Sequence, residues 1–277
     1  MNDQEFEYLK KKILALTDID LNNYKAQQMR RRLDGLVTNE SGSVVEYCKR
    51  IENDKDALKK LSNFLTLNVS EFFRDANQFQ QLKTIILPEL LGNNERLNIW
   101  SAGCSIGAEP YSVAMMLENL TPGRKHRIVA TDIDEAVLAK AKNGGPYSSS
   151  DIANVDKALL LKYFTRSDDG YQVIDSIKRR VEFRRHNLLK DRFEQGFDLV
   201  MCRNVVIYFS DEAKHKLYTG FCNSLKDGGI MFIGATETLL DASELGLTRI
   251  HNCFYRKPVS SKRTAVLSTA TRATRGS

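Results

Sequence analysis

The chain has 277 residues, of which 42% are apolar and 27% are charged, values that are ordinary for a globular protein. It has no run of about 18 apolar residues and no apolar secretory signal, so we expect a cytoplasmic protein without membrane insertion. The net charge is +6, but residues 256–277 carry six basic and no acidic residues, which leaves 35 basic against 35 acidic residues elsewhere. The basic excess belongs to the tail, and we expect no nucleic-acid partner.

The chain contains five cysteines, an odd number, and no two of them form a C-x-x-C pair. The four histidines also lack the spacing of metal ligands. These patterns argue against a disulfide framework and against a structural zinc site. We expect five reduced thiols and no bound metal, in keeping with a cytoplasmic protein.

The N-terminal region has the apolar periodicity of helices. Phe6, Leu9, Ile13 and Leu16 lie on one face of a first helix, and similar spacings predict three more helices. A further helix over 76–91 leads into the next region. We predict an all-α N-terminal domain over residues 1–80.

From residue 96 onward, apolar strands alternate with helices, a pattern typical of a parallel sheet covered on both faces. We predict an α/β domain with a doubly wound, Rossmann-like sheet over residues 81–257. The predicted strands cover 96–103, 127–134, 197–204 and 230–236, the predicted helices cover 110–120, 135–142 and 212–225, and a last strand pair covers 247–258.

Short β-like runs at 162–167, 171–176 and 179–187 interrupt this alternation, with a hairpin turn at Asp169-Gly170. We predict a small antiparallel β-subdomain over about residues 160–186, either inserted into the α/β domain or merging with its sheet. At the other end, residues 258–277 are rich in Ser, Thr, Ala and Arg, and we expect this basic tail to be disordered.

A candidate nucleotide site follows the first strand of the α/β domain. Gly103 and Gly107 allow a tight turn and close approach to a ligand, and Asp132 ends the second strand, where a carboxylate can accept both ribose hydroxyls. The G-x-G-x-x-G fingerprint is absent, and Glu109 at the next helix start would repel a pyrophosphate but can pair with a methionine amino group. This favours S-adenosylmethionine over a dinucleotide. The alternative is a pair of ordinary turn glycines and a first-turn acid.

Polar residues also follow two later strands, at the edge where doubly wound sheets bind ligands. Asn187 and Leu188 follow one β-like run, and Arg203 and Asn204 follow an apolar strand. Burying an arginine and an asparagine there is costly unless both find partners. These residues either bind a ligand or form a structural network that caps the sheet.

The segment NVSEFFRD (68–75) precedes the α/β domain. Its two phenylalanines are expected to anchor it to the core. Arg74 beside them lies either at a cleft between the domains or on the surface near Asp75.

Together these segments resemble the CheR-type chemotaxis receptor methyltransferases. The resemblance implies an S-adenosylmethionine methyltransferase domain preceded by a helical substrate-recognition domain. It also implies methyl transfer from S-adenosylmethionine to glutamate side chains on the cytoplasmic helices of chemoreceptors, giving glutamate methyl esters and S-adenosylhomocysteine. The matching motifs, in the family's order, are NVSEFFRD (68–75), IWSAGCSIGAEPYSVAM (99–115), ATDID (130–134), NLL (187–189) and CRNVVIYF (202–209).

The resemblance also implies roles for single residues. Arg74 and Tyr208 match the positions that orient the substrate carboxylate, and we take them as candidate catalytic residues. Ser70 stands where threonine is also common in the family. With Gly103 of the glycine loop added, the expected cofactor contacts are Asn68, Ser70, Arg74, Gly103, Glu109, Asp132, Asn187, Leu188, Arg203 and Asn204.

The receptor helices that carry methylation sites are acidic, so a basic surface is expected to bind them. Lys25, Arg30, Arg31 and Arg32 on the second predicted helix are the candidates, and Lys25 and Arg32 share a face because they are seven residues apart. The alternative is a solvated helix face. In some family members the β-subdomain binds a receptor C-terminal pentapeptide, but the turn at 167–170 is short for that purpose. We expect a monomer that does not bind such a peptide.

Two other functions remain open on the sequence alone. The same fold serves methyltransferases of RNA or of small molecules, since fold does not fix function. The charge-balanced body argues against RNA. A non-catalytic sensor would also keep the cofactor pocket, although the presence of Arg74 and Tyr208 weighs against it.

Overall fold

The computed structural model describes residues 1–66, 70–239 and 241–259. Its N-terminal part is all-helical, as predicted. The first helix begins with a capping box, in which the Asn2 side chain accepts the Glu5 N–H and the Glu5 carboxylate accepts the Asn2 N–H. The helices are α1 (Asp3–Thr17), α2 (Ala26–Glu40), α3 (Val44–Asn53) and α4 (Lys55–Thr66).

The helical domain has its own apolar core. Leu9 and Ile13 of α1 are fully buried against Leu33 of α2, Cys48 of α3 and Leu61 of α4. These positions are the apolar stripes that the helical periodicity predicts. Each helix therefore buries one face in a common core and leaves the other face to solvent.

A long helical segment follows and leads into a sheet. α5 (Ala76–Gln81) continues through a π-helical turn, Leu82–Ile86, into α6 (Leu87–Asn93). The strands after it are β1 (Asn98–Ala102), β2 (Arg127–Asp132), β3 (Phe164–Ser167), β4 (Gly170–Val173), β5 (Val181–Arg185), β6 (Phe197–Cys202), β7 (Leu225–Ile233), β8 (Thr248–His251) and β9 (Phe254–Arg256). The remaining helices are α7 (Ala108–Leu120), α8 (Glu135–Asn143), α9 (Lys157–Tyr163), α10 (Asp175–Lys178) and α11 (Asp211–Ser224).

Within the described ranges, seven strands form one mixed sheet in the order β5-β2-β1-β6-β7-β9-β8. The first five strands in that order run parallel, and β9 and β8 close the edge in antiparallel pairing. The chain leaves β1 toward β2 on one side and returns to β6 on the other. This reversal creates a topological switch point beside β1, where sheets of this class bind ligands.

The antiparallel excursion is smaller than the β-like runs indicated. β3 and β4 pair as a hairpin, whereas β5 joins the main sheet beside β2. The run at 162–167 begins inside α9, and the run at 171–176 ends at Val173 before α10 begins. Both boundaries were wrong because such short helices do not show a helical period of their own.

The buried apolar residues of the described chain fall into two clusters, one from Phe6 to Leu65 and one from Phe72 to Tyr255. The predicted domain boundary at residue 80 stays a prediction. Residues 260–277, and so nearly all of the predicted basic tail, lie outside the described residues. Among the helices that are described, none is long and apolar enough to cross a membrane.

Candidate functional site

A cleft lies at the carboxyl ends of the parallel strands, beneath the helical domain. It contains about 1140 Å³ of empty space, part of it continuous with solvent. The structure brings together at this cleft nearly all of the residues that the sequence singled out for cofactor binding or catalysis, from segments far apart in the chain. They are Ser70, Arg74, Gly103, Glu109, Asp132, Asn187, Leu188, Arg203, Asn204 and Tyr208.

The loop after β1 needs glycine at two positions. Gly103 has a φ of +79°, and a Cβ there would overlap the Val205 side chain. Gly107 has a φ of +84°, and a Cβ there would lie 2.9 Å from the Cβ of Ala141. The loop can therefore run close under the cleft only without side chains at these two positions.

Asp132 is buried at the end of β2 and aligned by the neighbouring backbone. Its Oδ2 accepts the Ser105 N–H at 2.7 Å, and its Oδ1 accepts the Asp134 N–H at 3.0 Å. Burial raises the pKa of Asp132, and these backbone hydrogen bonds oppose the rise. Because a carboxylate has about four acceptor positions, Asp132 retains acceptor capacity for hydroxyl groups in the cleft.

Glu109 and Arg203 belong to one ionic network. The Ser101 hydroxyl donates to Glu109 Oε1 at 2.8 Å, and Arg203 Nη1 donates to Glu109 Oε2 at 3.3 Å. Arg203 Nη2 donates to Asp75 Oδ2 at 2.7 Å and to the Arg74 carbonyl at 3.1 Å. Asp75 is thus a partner of Arg203, and the network ties the segment before α5 to the ends of β1 and β6.

Arg203 is positioned by aromatic rings as well as by carboxylates. Its guanidinium carbon lies 5.1 Å from the Phe79 ring centroid and 4.6 Å from that of Phe232, within cation–π range. Its side chain is only 2% exposed. The structural network weighed as an alternative for Arg203 is therefore present, and a direct cofactor contact by this residue stays a prediction.

Behind this network lies a buried carboxyl group that the sequence did not single out. Glu237 Oε2 accepts the Gly234 N–H at 3.1 Å, close to the backbone of Asn204. Burial raises the pKa of Glu237 to about 7, although the charge of Arg203 lowers it. The only feature of the sequence that could have indicated Glu237 is that it is an acidic residue shortly after β7.

Asn187 organises a turn at the end of β5. Its backbone N–H donates to Asp191 Oδ2 at 2.8 Å, and its Oδ1 accepts the Leu189 N–H at 3.0 Å. Its Nδ2 donates to the Asp18 carbonyl at 3.2 Å. The amide group therefore holds the turn in place, while the turn itself lines the cleft through Leu188 and Leu189.

The helical domain supplies one wall of the cleft, which local motifs did not reveal. Ile19, Asp20 and Tyr24 all line the cleft. The Tyr24 ring packs edge-on against Phe209, with 4.9 Å between centroids, and burial raises the pKa of its hydroxyl. The Lys25 N–H donates to the Tyr208 carbonyl at 3.1 Å. The candidate catalytic Tyr208 is therefore in direct contact with the helical domain.

The four basic candidates of α2 do not form one surface. Lys25, which precedes α2, and Arg31 are exposed. Arg30 donates to Asp3 at 2.6 Å, and Arg32 donates to the Phe64 carbonyl and lies 4.6 Å from the Phe64 ring centroid. Arg30 and Arg32 are thus engaged within the helical domain, which leaves Lys25 and Arg31 as the exposed pair.

Unusual backbone conformations concentrate around the cleft. The non-glycine residues with positive φ in the described chain are Asp18, Phe73, Asp75, Ser105 and Asn204. Ser105 and Asn204 line the cleft, and the others are neighbours of lining residues. Such conformations cost about 1–3 kcal/mol each and are typical of functional sites.

One expected cofactor contact, Asn68, lies outside the described residues. The five cysteines are free and buried, and burial raises the pKa of Cys104 and of Cys202, which keeps both as thiols. Their chemistry is that of small buried apolar residues.

Two family profiles match nearly the whole described chain. The CheR methyltransferase all-alpha domain matches residues 4–66, and the CheR methyltransferase SAM binding domain matches residues 68–250. The chain belongs to the CheR methyltransferase family. It is an S-adenosylmethionine-dependent methyltransferase, and the all-α plus Rossmann-like architecture predicted from its sequence is confirmed.

The relatives of this CheR-family chain match over most of their length. A chemotaxis protein methyltransferase of Listeria monocytogenes is 38% identical over 92% of this chain and 98% of its own. One from Borreliella burgdorferi is 35% identical over 80% and 83%, respectively. Among solved structures, PKMT2 from Rickettsia typhi in complex with AdoHcy covers 60% of this chain and 26% of its own at 16% identity. The TM-score of this match is 0.36.

The residues of the cleft fit S-adenosylmethionine, the cofactor of this family. Asp132 offers carboxylate acceptors to ribose hydroxyls, and Glu109 offers a carboxylate to a cationic amino group. The missing side chain at Gly103 keeps the floor of the cleft open between them. The ribose and the amino group of the cofactor therefore each have a chemically matched carboxylate in the cleft.

Proposed function

We propose that this protein transfers the methyl group of S-adenosylmethionine to glutamate side chains on the cytoplasmic helices of chemoreceptors. The products are glutamate methyl esters and S-adenosylhomocysteine. The observation that carries the proposal is that Arg74 and Tyr208 line the same cleft as Glu109 and Asp132. The relatives named chemotaxis protein methyltransferases support it. The reaction places the protein in the cytoplasm, where these receptor helices lie.

Groups that end or follow three of the strands would hold the cofactor. Asp132 would accept hydrogen bonds from the ribose, and Glu109, in the first turn of α7, would pair with the methionine amino group in place of part of its contact with Arg203. Leu188, an apolar side chain that lines the cleft, would contact the adenine. When bound there, the cofactor supplies an electrophilic methyl group on a positively charged sulfur.

The substrate needs no general base. A glutamate side chain has a pKa near 4.3 and is ionised at neutral pH, so its carboxylate is already the nucleophile. The half-buried guanidinium of Arg74 binds one carboxylate oxygen and directs the other toward the methyl group. This positioning lowers the barrier only while Arg74 binds the ground state no more tightly than the transition state.

Tyr208 is the second residue that orients the substrate. Its hydroxyl donates to the carboxylate or lines the path of the methyl group. Phe209 and Tyr24 pack beside it and exclude water from this end of the cleft. A drier site favours the reaction, because methyl transfer from a cation to an anion disperses charge in the transition state.

An exposed basic pair near this end of the cleft matches an acidic receptor helix. Lys25 is joined to Tyr208 through the backbone, and Arg31 lies six residues, or about 1.7 turns, further toward the C-terminus. Exposed charges of this kind guide encounter and register more than they add affinity. The helical domain therefore presents the receptor glutamate to Arg74 and Tyr208.

The proposal is tested by offering labelled cofactor to competing substrates. The protein is incubated with S-[methyl-³H]adenosylmethionine and either isolated chemoreceptor cytoplasmic domains, total RNA or a small-molecule extract. We expect label on the receptor that is released by mild base, as methyl esters are. Label on RNA or on a small molecule would assign a different substrate. Cofactor binding without any transfer would favour the sensor function.

A further inference from the structure

One acidic residue of the helical domain reaches across to the turn after β5. Asp18 ends α1 in a left-handed conformation with a φ of +63°. Its backbone N–H closes the helix by donating to the Leu14 carbonyl. Ile19 and Asp20, the next two residues, line the cleft. Asp18 therefore stands where the helical domain begins to cover the cofactor site.

Asp18 contacts three side chains, one from the last residue of β5 and two from the segment that follows it. Asn187 Nδ2 donates to the Asp18 carbonyl at 3.2 Å and to its Oδ2 at 3.3 Å. Lys190 Nζ forms an ion pair with Asp18 Oδ1, and Arg185 Nη2 lies 3.6 Å from Oδ2. These contacts hold the pKa of Asp18 below its usual value, so the carboxylate is ionised at neutral pH.

These contacts engage both the oxygen and the nitrogen of the Asn187 side-chain amide. Its Oδ1 accepts the Leu189 N–H at 3.0 Å, and its Nδ2 is taken by Asp18. Rotation of the amide would break the bond inside the turn and the bonds to the helical domain together. Asp18 therefore selects the one orientation of Asn187 in which Leu188 and Leu189 line the cleft.

The charge of Asp18 has a second effect on the same turn. Arg185 also has Glu135 as a partner, 3.7 Å from its Nε, whereas Lys190 is paired with Asp18. Without Asp18, a lysine that lines the cleft would lose this carboxylate. The loss would free the lysine side chain and would leave Asn187 Nδ2 with only the main-chain carbonyl of residue 18 as its acceptor in the helical domain.

We propose that Asp18 is a positioning residue for the cofactor: it ties the helical domain to the Asn187–Lys190 turn and holds that turn in its cofactor-binding conformation. The proposal rests on the placement of S-adenosylmethionine in this cleft. It gives the helical domain a role in cofactor affinity that is separate from receptor recognition. Because Asp18 touches no reacting atom, it acts on binding and leaves the chemical step unchanged.

The decisive variant is Asp18→Gly, because glycine adopts a φ of +63° without strain. If Asp18 served only to end α1, this variant would fold and bind the cofactor as the wild type does. We expect normal thermal stability but a dissociation constant for S-adenosylhomocysteine raised about tenfold by calorimetry, as for one lost charge-assisted hydrogen bond. A dissociation constant within about twofold of wild type would overturn the proposal.

Two further variants separate charge from shape. Asp18→Asn keeps an acceptor for Asn187 but loses the charge that pairs with Lys190, so we expect an intermediate dissociation constant. Asp3→Ala is the matched control. Asp3, like Asp18, forms an ion pair, but its partner Arg30, at 2.6 Å, lies within the helical domain. The control should bind S-adenosylhomocysteine as the wild type does. An equal loss of S-adenosylhomocysteine affinity in the control would show a general effect of the helical domain and would refute a specific role for Asp18.

Kinetics and amide exchange complete the test. In Asp18→Gly we expect a raised KM for S-adenosylmethionine and an unchanged kcat at saturation, whereas a lowered kcat alone would contradict a positioning role. Without cofactor, the Leu189 N–H should exchange about fivefold faster in the variant, since its acceptor Asn187 loses the Asp18 carboxylate and is held only by the main-chain carbonyl of residue 18. Failure of the wild type to bind S-adenosylhomocysteine would overturn the proposed function, whereas equal binding and equal exchange in both proteins would overturn only the role of Asp18.

Discussion

The two walls of the cleft are built in different ways. The sheet wall consists of residues that end or directly follow parallel strands, such as Asp132 at the end of β2 and Arg203 after β6. The helical wall includes Ile19, Asp20 and Tyr24, which precede α2 and reach the cleft through packing of one domain on the other. The sheet wall is specified locally, whereas the helical wall depends on contacts between distant segments. The two walls should therefore respond differently to substitution.

The largest effect is expected at the sheet wall from Gly103→Val. The new side chain would overlap Val205 and would have to adopt a φ of +79°. We expect the dissociation constant for S-adenosylhomocysteine to rise about 100-fold in calorimetry, from strain and a filled cleft floor together. Gly123→Val is the matched control, because Gly123 has a similar φ of +76° with open space around it. An equal loss in both variants would show that the strain alone is responsible.

Arg74 lies where the two walls meet, and Arg74→Ala tests the chemistry. Loss of the guanidinium that orients the carboxylate should lower the single-turnover methylation rate by about tenfold or more. Arg96→Ala removes an exposed arginine outside the cleft and should leave the rate unchanged. Unchanged single-turnover methylation in Arg74→Ala would remove Arg74 from the mechanism.

Glu237 tests the support behind the sheet wall through pH. Its pKa is raised to about 7 by burial, above the value of about 4.5 expected when unfolded. The folded state therefore holds the proton more tightly, and stability falls as pH rises from about 4.5 to 7. In Glu237→Gln, which keeps an acceptor for the Gly234 N–H, this fall should be smaller by about 2–3 kcal/mol.

The measurement for Glu237 is urea unfolding of wild type and variant at pH 5 and pH 8. The free energy of unfolding of the variant, relative to that of the wild type, should be higher at pH 8 than at pH 5. A difference that is the same at both pH values would mean that Glu237 does not titrate in this window.

The smallest effect is expected from Arg31→Glu in the helical domain. An exposed charge contributes little affinity, so the receptor KM should rise about fivefold while the cofactor dissociation constant stays unchanged. Arg32 is left in place because its guanidinium bonds the Phe64 carbonyl inside the domain. Lys60→Glu, an equal charge reversal at an exposed position of α4, is the control. Loss of cofactor binding in Arg31→Glu would contradict a role confined to the receptor.

The same difference between the walls explains what the sequence could predict. The parallel strands were visible because strands such as β6, which is buried at all six positions and apolar at every one except Asp198, read as short apolar runs. Asp132 and Asn204 were visible because a polar residue at the end of such a run needs a partner. Tyr24 and Asp18 carry no such mark, since their place depends on how α1 and α2 dock on the sheet. The family resemblance supplied Arg74 and Tyr208, whose spacing alone was ambiguous.

The segment around Tyr208 is joined to the helical domain by main-chain hydrogen bonds. The Lys25 N–H donates to the Tyr208 carbonyl, and the Ser210 N–H donates to the Asn23 carbonyl at 2.8 Å, on either side of a bridge between Tyr24 and Phe209. Hydrogen bonds between backbones do not depend on side-chain identity. The surface of the helical domain is therefore free to diversify in evolution, or to be exchanged by an engineer for that of another receptor system, without detaching the domain from Tyr208.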